Sequence, residues 1–179
     1  AAIASYAVPS NLVTLLYLPG NAIGLGLITI VGQCIGAGEK GQAKQYTRQL
    51  TGINYAILLV LCTVMIVFGG QLVGIYQLSP EASAISKQMI TAHSIAMVVW
   101  PLAFTIPYTL RASLDAKFTM AVSVFSMWVF RIAFAYLFVR VFQLGVMGVW
   151  YGMFIDWIFR AAVFSLRFHG LERRAVSVS

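Results

Sequence analysis

The chain is 179 residues long, and 60% of its residues are hydrophobic whereas only 9% are charged. Because soluble domains contain about 25% charged residues, this composition excludes an ordinary soluble globule and indicates a protein that lies mostly in a bilayer. The net charge of +7 does not indicate a nucleic-acid partner, since the lysines and arginines lie in short clusters between apolar runs and form no basic stripe.

The apolar runs predict an all-α, polytopic membrane bundle. A helix needs about 20 apolar residues to cross roughly 30 Å of hydrocarbon. By this rule, residues 1–179 form one transmembrane domain with about five spans. The predicted spans are residues 6–35, 51–75, 85–110, 118–142 and 146–168.

The first predicted span contains residues that lipid-facing helices avoid. Pro19 lacks a backbone donor, so it predicts a bending point. The pairs Gly20/Gly24 and Gly32/Gly36 have the GxxxG spacing, which favours close helix packing but is a weak signal by itself. The segment is therefore interpreted as a bent helix that is buried against other helices.

Two amides, Asn21 and Gln33, lie at membrane depth in the same span. Amide side chains in a bilayer bond either to a neighbouring helix or to a ligand, and joining helices is the more common use. Both are kept as candidates for a transport or ion-coupling role.

The third span is predicted to start cleanly and then to break. Ser79-Pro80-Glu81 has the order of a helix N-terminus, with a cap, a proline at the first position and a favourable acidic charge. Pro101 and Pro107 then predict a kinked or unwound second half. His93, near the start of this span, is either a packed side chain or a proton relay.

Three ionisable residues, Arg131, Asp156 and Arg160, lie inside the last two spans. Charges within spans are costly and therefore mark candidate functional sites. At 1.5 Å per residue, Arg131 and Asp156 both lie roughly 20 Å from the same face, so they are predicted to pair. Arg160, one turn after Asp156, is the competing partner. The three residues either lock two helices together or handle a transported charge at Asp156.

The distribution of lysine and arginine predicts the orientation. Lys87 and Arg140 fall on one side, and the start of the chain belongs on that side, outside the cell. Eight cations fall on the other side, which predicts a cytoplasmic C-terminus: Lys40, Lys44, Arg48, Arg111, Lys117, Arg167, Arg173 and Arg174.

No enzyme signature occurs in the sequence, and no cofactor or metal site is predicted. There is no HExxH motif and no glycine-rich phosphate loop. Cys34 and Cys62 lie within apolar runs without metal-ligand spacing, so they are interpreted as small buried hydrophobic residues.

Three stretches in this order resemble the C-terminal half of the multidrug and toxic compound extrusion (MATE) family. The first is residues 19–38 followed by Ala43. The second is Pro101 with residues 110–120, 126–128 and Arg131. The third is residues 148–153 with Asp156-Trp157, Arg160 and Arg167-Phe168. Leu114 departs from the pattern, since the family often has glycine before the aspartate.

The resemblance implies two six-helix lobes that face a central cleft. It implies exchange of Na⁺ or H⁺ for small organic cations by alternating access in the inner membrane. This chain would supply spans eight to twelve and would need the missing N-terminal half of the same transporter. Two alternatives stay open: a flippase for lipid-linked oligosaccharides from a related superfamily, and a membrane scaffold that transports nothing.

Overall fold

The computed structural model describes residues 2–113, 115–143 and 145–176, and those residues are almost entirely helical. Seven α-helices and two short π-helical segments follow one another along the described chain. The helices are α1 (Ala2–Gly36), α2 (Lys40–Ile75), α3 (Pro80–Ala96), α4 (Ile106–Ala112), α5 (Ala116–Ser126), α6 (Phe134–Arg140) and α7 (Gly145–Val176). The first π segment is Pro101–Thr105 and the second π segment is Met127–Ala133.

Four stretches of the described chain are long and apolar enough to cross a membrane, and a bent helix pair makes a fifth. The four are Val8–Gly36, Lys40–Ile75, Ala116–Arg140 and Met147–Gly170. The fifth combines α3 with the part from Pro101 to Ala112. The all-α membrane bundle predicted from composition is therefore present.

The helices extend beyond the predicted apolar runs. α2 begins at Lys40, whereas the predicted span starts only at residue 51. Its first ten residues contain no proline and several good helix formers, so the helix continues through a polar stretch. Hydrophobicity marks where a helix lies in lipid, but it does not mark where the helix starts.

The predicted break in the third span is confirmed. Ser79 caps α3 and accepts a hydrogen bond from the Ala82 amide at 3.3 Å, and Pro80 follows as the first helical residue. The helix then ends at Ala96, and its axis turns by 63° before the part that begins at Pro101. The chain resumes as the first π segment, so a proline marks the bend.

The helix α1 continues through Pro19 without interruption. Aromatic rings from neighbouring segments of the chain pack against two glycines of α1. A Cβ added at Gly20 would lie 2.2 Å from the Trp100 ring, and one added at Gly24 would lie 2.3 Å from the Tyr108 ring. Gly20 and Gly24 therefore leave the space on α1 into which these two rings pack.

Two further glycine pairs with the GxxxG spacing, Gly32/Gly36 and Gly148/Gly152, behave differently from each other. A Cβ added at Gly32 or Gly36 meets nothing within 4 Å, so neither glycine packs against the described part of the chain. In α7, a Cβ added at Gly152 would lie 2.9 Å from the Ala135 backbone nitrogen. Gly148 approaches Phe138 similarly, so this pair does bring two helices close together.

The packed core lies between α1, α2, α3, the first π segment and α7. Its buried members include Leu16, Val73, Met97, Trp100 and Trp157. The fourth span, formed by α5, the second π segment and α6, lies at the edge and packs mainly on α7. Only 6% of the apolar stretch of this span is buried, so most of its surface is available to lipid or to another part of the protein.

Candidate functional site

The buried carboxylate of Asp156 pairs with Arg160, and not with Arg131 as the sequence had favoured. Arg160 Nε lies 2.9 Å from Asp156 Oδ1, and the Asp156 side chain is completely buried. The two residues are four apart on α7, so their side chains meet on one face of one helix. The second carboxylate oxygen, Oδ2, has no hydrogen-bond partner among the described residues.

Arg160 also ties α7 to the fourth span. Its Nε–H group is shared with Ser126 Oγ at 2.8 Å, and its Nη2 group donates to the Ser123 carbonyl oxygen at 3.1 Å. Its guanidinium carbon lies 5.8 Å from the centre of the Phe104 ring in the first π segment. Ser126 immediately precedes the second π segment. The ion pair therefore contacts the first π segment and the residue just before the second one. Irregularities of this type are frequent at functional sites.

Arg131 lies in the second π segment and is exposed. Its Nη2 atom makes a long contact of 3.9 Å with the sulfur of Met153, one turn before Asp156 on α7. The predicted pairing assumed a regular α-helix up to Arg131. A π segment has wider turns, so neither the depth nor the face estimated for an α-helix holds beyond Ser126.

His93 is buried in an aromatic cage. Its Nε2 atom lies 2.7 Å from the Tyr17 hydroxyl, and only 1% of the residue is exposed. The rings of Trp150, Trp157 and Phe154 lie 4.8, 5.2 and 5.9 Å from the imidazole, all edge-on. The other ring nitrogen, Nδ1, has no partner among the described residues. His93 therefore joins α1, α3 and α7 at one point.

A cavity of about 200 Å³ opens beside this cage. His93 and Tyr17 line one part of it, and Arg131, Trp150 and Met153 line another. The cavity therefore brings together two of the sequence candidates, His93 and Arg131, which are 38 residues apart in the chain. Asp156 and Arg160 do not line it.

The remaining candidates lie elsewhere. Asn21 and Gln33 are exposed on α1 in the described structure, so neither amide joins the described helices to one another. Pro101 and Pro107 are buried at the start of the first π segment and of α4, where the third span changes direction. Cys34 and Cys62 are free thiols, half-buried and buried respectively.

Sequence reasoning missed the hydroxyl groups that complete these sites. Tyr17 and Ser126 lie in apolar runs, and nothing in their spacing indicates the residue they bond.

A second feature that sequence reasoning missed is a row of side-chain hydrogen bonds between α2 and the third span. There Asn54 Nδ2 donates to Thr105 Oγ1 at 2.8 Å, and Thr47 Oγ1 lies 3.0 Å from Thr109 Oγ1. Thr105 and Thr109 are four residues apart, and this i, i+4 spacing was the sequence signal that both face the same neighbouring helix.

Comparison with known proteins identifies relatives over most of the chain. The MatE family model matches residues 1–137. The chain is 27% identical over 177 residues to the probable multidrug resistance protein NorM of Thermotoga maritima. That alignment covers 98% of this chain and 38% of the relative. It is 26% identical over 151 residues to the probable multidrug resistance protein YoeA of Bacillus subtilis, which covers 84% of this chain and 33% of the relative. The chain thus spans well under half of these relatives.

Solved structures share the fold. A MATE crystal structure in the bent conformation matches with a TM-score of 0.85 at 17% identity, over 97% of this chain and 39% of that one. The outward-facing conformation of a multidrug resistance MATE transporter of the MOP superfamily matches with a TM-score of 0.83 at 18% identity, over 96% and 39%. Five-span bundles of this kind therefore occur as part of larger membrane proteins.

Proposed function

Because the chain belongs to the MatE family, we propose that it is the C-terminal lobe of an efflux transporter that exchanges Na⁺ or H⁺ for small organic cations. The curated relatives are named as multidrug resistance proteins, which does not favour a flippase or a scaffold. The function is transport without chemical conversion of the substrate. No cofactor is needed beyond the coupling ion, and the remaining lobe comes from the rest of the same transporter.

The observation that carries this proposal is the state of the Asp156 carboxylate. The group is completely buried in an apolar span, yet only one of its two oxygens is hydrogen-bonded within the described structure. A buried polar atom without a partner is costly, and in spans ionisable groups mark ion pathways. The free Oδ2 oxygen is therefore an acceptor that a proton or a monovalent cation would satisfy.

Binding of such an ion has a route to helix movement. Neutralising the Asp156 carboxylate weakens its ion pair with Arg160, and Arg160 is the residue that holds the fourth span through Ser126 and Ser123. The contacts lie at the start of the second π segment, where the helix is irregular already. Loading and release of the ion at Asp156 would thus loosen and tighten the contact between α7 and the fourth span.

We assign the protein to the inner cell membrane with its C-terminus in the cytoplasm. The excess of lysine and arginine on the side of the 36–49 and 111–117 segments supports this orientation. Membrane lipid is then the partner of the exposed apolar surface, which includes Leu59 and Leu166. No nucleic acid is involved.

The test is ion-driven export by the complete transporter in liposomes, with Asp156→Asn as the variant. The amide keeps the shape of the side chain but cannot exchange a proton or carry a charge. We expect a folded variant that still binds substrate but no longer exports it in response to a pH or sodium gradient.

The matched control is Asp115→Asn. Asp115 forms an equally short ion pair, 2.8 Å from Arg167, but at a partly exposed position. This variant is expected to export normally. Normal export by Asp156→Asn under both gradients would refute a coupling role and leave Asp156 as a structural lock.

A further inference from the structure

The cavity beside His93 carries a charge of the wrong sign for an organic cation. Of the described residues that line it, Arg131 is the charged one, and none of them is a carboxylate. Within the described ranges, the ion pairs formed by aspartate are those of Asp156 with Arg160 and Asp115 with Arg167, so neither acid neutralises Arg131. The nearest interaction of its guanidinium is the long contact with the Met153 sulfur.

An arginine in a span is ordinarily paired. Its guanidinium presents a planar fork of donors that matches a carboxylate, and such charged hydrogen bonds are the strong ones. A second polar group lies in the same cavity wall. His93 is buried, and its Nδ1 atom has no partner in the described part of the chain. The imidazole borders the cavity, but its Nδ1 atom is shielded from it, so His93 shapes the wall and Arg131 is the group that can bind an occupant.

The remaining walls carry the hydroxyl groups of Ser10 and Thr14 beside apolar and aromatic side chains, which include Val13, Val149 and Trp150. At about 200 Å³ the cavity is smaller than the roughly 300–1,000 Å³ of pockets that enclose drug-sized ligands. It has room for a head group and the first part of an apolar chain. Next to Arg131 on the fourth span lie exposed apolar side chains, among them Trp128 and Ile132. The rest of an alkyl chain would lie along that lipid-facing surface.

We propose that this cavity binds the carboxylate end of an apolar acid of the fatty-acid class, with Arg131 pairing the carboxylate and His93 bordering it. The site is separate from the Asp156–Arg160 pair, and its ligand has the opposite charge to the exported cation. The inference depends on neither the direction nor the coupling of transport. A binding assay therefore tests it independently of any export assay.

The experiment measures binding of cis-parinaric acid, a fluorescent fatty acid, to the complete protein in detergent. Energy transfer from tryptophan reports the bound probe, because Trp150 lines the cavity. The methyl ester of the same acid is the uncharged comparison. We expect the acid to bind more tightly than the ester, and Arg131→Gln to lower the affinity for the acid by about tenfold or more without changing that for the ester.

Two further variants keep the result decisive. Arg131→Lys retains the charge and is expected to recover part of the affinity. Arg140→Gln removes another exposed arginine of the fourth span, one that does not line the cavity, and should leave binding unchanged. The proposal is wrong if the acid does not bind, if the ester binds equally well, or if Arg140→Gln weakens binding as much as Arg131→Gln. The first outcome includes the case in which a carboxylate from the rest of the transporter already occupies the site.

Discussion

Removing one partner of the Asp156–Arg160 pair should destabilise the protein strongly, whereas removing both should not. Arg160→Leu leaves a completely buried carboxylate without its cation, and Asp156→Leu leaves an arginine that is 12% exposed without its anion. Breaking a buried ion pair in this way costs on the order of 3–5 kcal/mol. Replacing both partners by apolar residues is often close to neutral, because no uncompensated charge remains.

The hydrogen bonds of Arg160 predict which of the two single variants loses more stability. After Asp156→Leu, the guanidinium keeps its bonds to Ser126 and Ser123. After Arg160→Leu, the carboxylate loses the hydrogen bond that Arg160 donates to Oδ1, while Oδ2 already has no partner in the described structure. We therefore expect Asp156→Leu near the lower end of that range and Arg160→Leu near the upper end.

The measurement is the free energy of unfolding of the complete protein, followed by titration with SDS in mixed micelles. The control pair is Asp115 with Arg167, whose side chains are 20% and 41% exposed. An exposed pair contributes only about 0–1 kcal/mol, so Asp115→Leu and Arg167→Leu should change stability little. The reasoning fails if the single changes at the buried pair cost no more than those at the control pair. It also fails if the double variant is no more stable than the worse single variant.

Three further outcomes are expected. Gly152→Ala should cost about 1–3 kcal/mol because its Cβ meets the backbone of the neighbouring helix, whereas Gly32→Ala, in open space, should be neutral or slightly stabilising; equal effects in the SDS titration would contradict the packing assignment. Ser79→Ala should cost about 1 kcal/mol through loss of the cap of α3, and Ser79→Asp should retain that stability. In a cysteine-free background, a reporter cysteine at Lys87 should react with an impermeant thiol reagent in intact cells and one at Lys117 should not; the reverse labelling would invert the orientation.

The membrane fold and the place of the main bend could be predicted from the sequence. Both depend on local properties, namely the length of the apolar runs and the missing amide hydrogen of proline. For the same reason Ser79 was found as a helix cap, since a cap bonds to an amide only three residues away. The candidate list also contained the residues of the buried ion pair, because any charge in a span is conspicuous.

The partners of those residues were decided by the tertiary structure. The sequence favoured Arg131 over Arg160 as the partner of Asp156, but Arg131 lies in the second π segment and contacts Met153 instead. Neither apolar periodicity nor proline marks this segment in the sequence, so its position was visible only in the folded chain.

The glycines show the same division. Among the pairs that share the GxxxG spacing, Gly20/Gly24 and Gly148/Gly152 pack closely, whereas Gly32/Gly36 faces open space. The spacing places two glycines on one face of a helix, and that much is fixed by the geometry of 3.6 residues per turn. Which face meets another helix depends on residues far away in the chain, such as Trp100 and Tyr108, and only the assembled bundle brings them together.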